Sequence, residues 1–213
     1  MMRRATVLVI LGVFLPFSVL AQSNGISLTE VQTAYDTLDG LRASFTQRIS
    51  SDFAGDATQI EGTVLLSGNK YRVETPNQTV VTDGQTTWVY TPADSQVVVN
   101  HAEKDASTVT PKTFLTASAR RYRTEQSTTT TRQNAPHAKL TVTATDSTAR
   151  FKDATLWVRH SDRVVTRMRA TDRNGATLDL RLRDLVINPS LTDNPFTFTP
   201  PEGIEVIDLR STE

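Results

Sequence analysis

The 213-residue chain predicts a mainly β fold: one antiparallel sheet with a dry and a wet face, and few helices. Three observations carry this. Apolar residues alternate with polar ones in segment after segment, the period of a half-buried strand. Asp83-Gly84 and Asn174-Gly175 are tight-turn dipeptides, because glycine and its small polar neighbour accept positive φ at little cost. Only one segment after residue 21 has convincing helical spacing.

The N-terminus reads as an export leader. Arg3-Arg4 give a basic start, residues 7–20 an apolar run, and Val19-Leu20-Ala21 a small-residue cleavage site. Residues 1–21 are therefore expected to be a signal peptide and 22–213 one domain. Gln22 stands where a bacterial lipoprotein would need cysteine. Next, Ser27-Leu-Thr-Glu30 has the form of a capping box. Leu28, Val31, Tyr35 and Leu38 follow on one helical face, and Gly40 is expected to close the helix.

The strands come after it. Leu41, Ala43, Phe45 and Ile49 alternate with Arg42, Ser44, Thr46 and Arg48. Ile60, Val64 and Leu66 form one face of the next strand, and Tyr71 and Val73 one face of the strand after that. Residues 80–92 contain the Asp83-Gly84 turn. With that dipeptide at the centre, Val81 pairs with Thr86, and Thr79, Val81, Trp88 and Tyr90 form an apolar wall. Residues 102–119 break the alternation with Pro111, Phe114 and Leu115 and read as one or two short helices lying across the sheet. The Thr-rich residues 126–133 suit an edge strand or exposed ribbon. Leu140 and Val142 alternate again, as do Leu178, Leu180 and Leu182. The apolar parity then slips to Leu185 and Ile187, which predicts a β-bulge near Asp184.

Roughly ten such strands, by this reading, leave more apolar sheet than the available helix can cover. Either the sheet closes into a barrel on its own face, or it curls part of the way and leaves an apolar hollow suited to a hydrophobic guest.

Chemistry is sparse. Net charge is zero, so nucleic acid lacks its basic footprint. No cysteine is present. His101, His137 and His160 lack metal-ligand spacing and read as isolated surface residues, so neither metal nor cofactor is expected. His160-Ser161-Asp162 are sequence neighbours and cannot adopt triad geometry together. No nucleophile elbow or phosphate loop occurs. No enzyme is expected.

Several segments together resemble the LolA family of periplasmic lipoprotein carriers. They are Leu41-Arg-Ala-Ser-Phe-Thr-Gln47, Gly62-Thr-Val-Leu-Leu66, Lys70-Tyr-Arg-Val-Glu74, Val81-Thr-Asp-Gly84 with Trp88-Val-Tyr90, and the Pro111/Phe114-Leu115 segment. Asp172-Arg-Asn-Gly175 and Phe196-Thr-Phe-Thr-Pro-Pro-Glu-Gly203 complete the series in the family's order. The resemblance implies an unclosed β-barrel whose concave apolar face lies under a lid of short helices. It also implies a monomer in the periplasm that takes acylated lipoproteins from an inner-membrane ABC-type release complex. Delivery would be to an outer-membrane acceptor or to the outer membrane directly. The family's Arg-Pro pair, which latches the lid, is replaced here by Ser67-Gly68-Asn69. A glycolipid carrier or an envelope lipid sensor on the same fold is the alternative.

On this reading Phe45, Val64, Leu66, Tyr71, Val73 and Val81 line the lipid cavity, with Trp88, Tyr90, Leu140, Val142, Leu178 and Leu180. Val31, Tyr35, Leu38, Phe114 and Leu115 form the lid.

Overall fold

In a computed structural model of the chain, residues 25–51, 57–102, 114, 121–191 and 194–210 are described. The leader, Leu115 and all of segment 102–119 except Ala102 and Phe114 lie outside them. Among the described residues one α-helix, α1 (Leu28–Thr37), precedes twelve strands. These are β1 (Leu41–Ser50), β2 (Thr58–Ser67), β3 (Lys70–Glu74), β4 (Thr79–Thr82), β5 (Thr86–Thr91) and β6 (Gln96–His101). After them come β7 (Tyr122–Arg132), β8 (Ala135–Ala144), β9 (Phe151–Arg159), β10 (Val165–Asp172), β11 (Thr177–Ile187) and β12 (Glu205–Asp208).

All twelve join one sheet in the order β12-β6-β5-β4-β3-β2-β1-β11-β10-β9-β8-β7. Each pair is antiparallel except β12 with β6. The two ends do not pair with each other, so the sheet is unclosed. Strand β1 sits in the middle and joins two halves: β2–β6 with β12 on one side, β7–β11 on the other. The Thr-rich ribbon is edge strand β7, as its composition predicts; exposed threonines give an edge little apolar surface on which another chain could stack.

Capping is as expected. Ser27 Oγ accepts the Glu30 N–H at 3.2 Å, and the Glu30 carboxylate accepts the Ser27 N–H at 2.8 Å. The helix stops earlier than expected, at Thr37. The Asp39 and Gly40 N–H groups donate to Asn188 Oδ1, so the end of the helix is tied to the chain leaving β11. The bulge is where the parity slip placed it: Asp184 has φ +52°, and the β1–β11 register shifts across it.

The Asp83-Gly84 hairpin forms with its centre one residue later. Asp83 occupies the first position, where its carboxylate accepts the Gln85 and Thr86 N–H groups at 2.8 Å. Gly84, at φ +93°, takes the first central position of a II′-type turn. Val81 consequently pairs with Trp88, not Thr86. A register change of two keeps every side chain on its face. In the other hairpin Asp172 N–H donates to the Ala176 carbonyl at 2.8 Å, leaving a three-residue loop with Gly175 at φ +85°.

Since directly opposed residues share a face, the registers define an inner face, on which the main core lies, and an outer face. Gly62 is required on the inner face. Opposite it stands Phe45, and a Cβ at residue 62 would lie 2.1 Å from the Glu74 carbonyl oxygen and 2.9 Å from the Phe45 ring. On the outer face Trp157 lies between two guanidiniums, Arg167 at 4.6 Å and Arg132 at 5.4 Å from its ring centre. Asp179 accepts from both Arg167 and Arg181. Partial burial pushes the Asp179 carboxyl up, but the two arginines outweigh it and hold the group at about 2. His137 is buried rather than exposed (1 % accessible), with Nδ1 2.9 Å from the Ala135 carbonyl oxygen.

Replacing Gly62 by Ala should destabilise the fold by about 1–3 kcal/mol through overpacking, measured as a lower urea midpoint. A second expectation follows from Asp179. Its carboxyl is depressed in the folded state, so its stabilisation is full above about pH 4 and fades as pH falls through about 2. The Asp179→Asn protein should therefore lose about 1–2 kcal/mol near neutrality, once solvent screening of the pair is allowed for. Its stability curve should merge with that of the parent below about pH 2.

Candidate functional site

The inner face differs between the two halves. Across β7–β11 and β1 it is closed. Leu140 and Val142 are fully buried, and Phe45, Leu178, Leu180 and Leu182 nearly so. They form one continuous core with Met168, Leu156 and the helix residues Leu28, Val31 and Tyr35. Tyr35 anchors α1, its hydroxyl accepting the Val165 N–H at 3.2 Å. Burial pushes that phenol well above its ordinary value. Leu38, at the helix end, packs against the same core while half-buried.

Phe114 belongs to this core. Its ring centre lies 4.9 Å from Tyr122 and 6.3 Å from Phe151. The Tyr122 hydroxyl both donates to the Phe151 carbonyl and accepts the Phe151 N–H, each at 3.0 Å. That pair of bonds to one residue's backbone fixes the aromatic seat on which Phe114 rests.

Across β2–β6 the inner face is different. The registers align Val64, Val73, Val80, Val89 and Val98 in one cross-strand row. Val73, Val89 and Val98 are only half-buried. Behind this row, a notch of about 440 Å³ is lined by the outer-face residues Ser44, Glu61, Thr63, Glu74 and Arg183, together with Phe45, Gly62, Thr75 and Pro76. The neighbouring row towards the β2–β3 turn runs Leu41, Leu66, Tyr71, Thr82, Thr87, Asn100. A partly accessible apolar row, next to a row that turns polar, can hold an extended hydrocarbon chain.

Phe45, Val64, Leu66, Tyr71, Val73, Leu140, Val142, Leu178 and Leu180 thus share the inner face, as the alternation predicts. Val81, Trp88 and Tyr90 do not. Val81 pairs with Arg72, Trp88 with Val99 and Tyr90 with Val97, all on the outer face. The cause is a second small core. After β11 the chain crosses this outer face: Arg72 donates to the Pro195 carbonyl at 3.4 Å, Phe196 is buried, and Phe198 lies 5.7 Å from Tyr90. Valines occupy both faces of the β4–β5 hairpin, so alternation could not say which face was inner. The larger aromatics suggested the wrong one. Val80, Val89 and Val98 were missed for that reason.

At the β2–β3 turn the Asn69 side chain donates to the Gly84 carbonyl at 3.4 Å, joining two neighbouring turns. Among the described residues no group of three or more His, Asp or Glu could hold a metal. Nor is any helix there long and apolar enough to cross a membrane.

The profile of the family described as Outer membrane lipoprotein carrier protein LolA matches residues 36–199. A protein of Haemophilus influenzae named outer-membrane lipoprotein carrier protein is 30% identical over 186 residues, 85% of this chain and 87% of its own length. A Histophilus somni protein of the same name is 28% identical over 192 residues, 86% of this chain and 88% of its own. Among solved structures, a conserved protein from Thermus thermophilus superposes with a TM-score of 0.57 at 14% identity. That match covers 84% of this chain and 98% of the other, a likeness of fold alone.

Phe114→Ala should cost about 3–5 kcal/mol by emptying the seat between Tyr122 and Phe151. By hydrogen exchange, protection should fall around residues 122 and 151 and be unchanged in residues 80–90. Loosening of both regions together would mean that the two halves open as one unit.

Proposed function

The chain belongs to the LolA family, and on that premise we propose that it is a periplasmic carrier that shields lipoprotein acyl chains against the inner face of its half-barrel. The observation that carries the reading is the valine row over β3–β6, half-buried at Val73, Val89 and Val98, apolar surface on the face that the β7–β11 half uses for its core. Three acyl chains present roughly forty methylenes, worth about 0.8 kcal/mol each on burial, so gross shielding is on the order of 30 kcal/mol. Aliphatic β-branched walls suit such a cargo, because they are rigid, indifferent to chain register and without polar anchors that would slow release.

In this reading the cargo comes from an inner-membrane ABC-type release complex and leaves to an outer-membrane acceptor or to the outer membrane itself. The protein acts as a monomer and makes or breaks no covalent bond. Phe114 and the α1 residues Val31, Tyr35 and Leu38 hold the cover over the closed half. Asn69, at the place of the family's Arg-Pro pair, is occupied with Gly84, so the cover rests on apolar packing and on the Tyr35–Val165 hydrogen bond.

The reading is tested with a fluorescent acylated peptide. Val89→Asp puts a charge into the open row at a half-buried site and should weaken binding at least about tenfold while leaving the fold intact by circular dichroism. Trp88→Ala, on the other face, should lower stability and leave affinity unchanged. Equal binding by all three proteins would defeat the proposal. Mass spectrometry of co-purified ligands separates cargo classes: sugar lipids in place of acylated peptides would favour a glycolipid carrier.

A further inference from the structure

One hydroxyl on the inner face has no partner. Thr87 is completely buried, and its Oγ1 makes no hydrogen bond. Valine has nearly the same shape and would avoid an unmet polar group, which is costly inside a protein. The chain uses valine two residues away on the same strand and face, at Val89, and across the row at Val80 and Val98. The other buried threonine of that row has a reason to be one: Thr82 Oγ1 donates to the Thr86 carbonyl at 2.8 Å and accepts the Gly84 N–H at 3.1 Å. Thr87 has none within the fold.

Its surroundings suggest what it awaits. The cross-strand neighbours are Thr82 on β4 and Asn100 on β6. Asn100 uses its side-chain oxygen to accept the His101 N–H at 2.9 Å, which leaves its amide N–H groups as donors. The valine row lies two residues along each strand, roughly 7 Å away. A chain lying on the valines therefore brings the group at its head to a place where a hydroxyl and an amide can both donate.

Resting on the carrier reading, we propose that Thr87, flanked by Asn100, forms the polar end of the acyl site and that the Thr87 hydroxyl donates to the ester carbonyl of an O-acylated glyceryl group. An ester carbonyl is an acceptor without charge, which matches a neutral donor with no ionised group in the row. An ether link lacks that carbonyl and cannot make the bond. The subsite thus selects ester-linked lipids, while the valines hold any hydrocarbon chain.

The experiment compares a synthetic lipopeptide carrying an S-(2,3-diacyloxypropyl)cysteine with its dialkyl-ether counterpart, each titrated into the purified protein and into Thr87→Val and Thr87→Ser. The parent should bind the ester form about fivefold more tightly, the yield of one neutral hydrogen bond. Thr87→Val should abolish that preference, leave ether affinity unchanged and melt no lower than the parent, because the unmet hydroxyl is gone. Thr87→Ser should retain it. Equal affinities of the parent for both probes, or a preference that survives Thr87→Val, would overturn the subsite while leaving the carrier reading intact. Failure of the parent to bind either probe would overturn both.

Discussion

The structure depends on an imbalance of cover. Among the described residues twelve strands make one sheet with two faces, and one ten-residue helix, α1, packs on the inner one. A closed barrel would cover that face by turning every inner residue towards another. Here the ends remain apart, so cover must be supplied piece by piece. Helix α1 and Phe114 close the β7–β11 half. The C-terminal segment closes the outer side of the β2–β6 half. Val73, Val89 and Val98 on the inner face of that second half are left part-exposed, and the functional reading rests on this remainder.

Division of labour between the halves follows. The β7–β11 half carries the large buried side chains Leu140, Leu156 and Met168 and has the properties of a folded core: Tyr35 and Tyr122 each end in a backbone hydrogen bond inside it. On its outer side the Arg132–Trp157–Arg167 stack and Asp179 stiffen the strands from solvent. The β2–β6 half has an inner row made of valines, and short turns join most of its strands. It is held from behind by Phe196 and Phe198, which frees its front to meet a guest. Strand β1 belongs to both, since Phe45 pairs with Leu182 on one side and lies over Gly62 on the other.

Function in this scheme comes from shape and surface, with no reacting group. Weak, repeated apolar contacts give shielding that scales with chain length. A polar row at one end of the site can then set where the head of the ligand stops. Histidine plays no visible part: His137 is a packed interior residue, and the outer face arranges its charges mainly as paired or stacked arginines.

Much of this was legible in the sequence because its signals are local. Period-two alternation fixed the strands, the Ser27–Glu30 box fixed the start of α1, and the parity slip at Leu185 marked the Asp184 bulge. Each rests on neighbours within a few residues. The resemblance of ordered motifs named the family and the unclosed sheet. What the sequence could not decide was which face of the β4–β5 hairpin is inner, because Val80 and Val81 are equally apolar. That choice depends on Phe196 and Phe198, distant in the chain, arriving behind Val81, Trp88 and Tyr90. The unpaired state of Thr87 was likewise invisible, since a threonine in a strand is ordinary until its neighbours on the adjoining strands are known. Local pattern set the elements; long-range packing decided which side of them would face the guest.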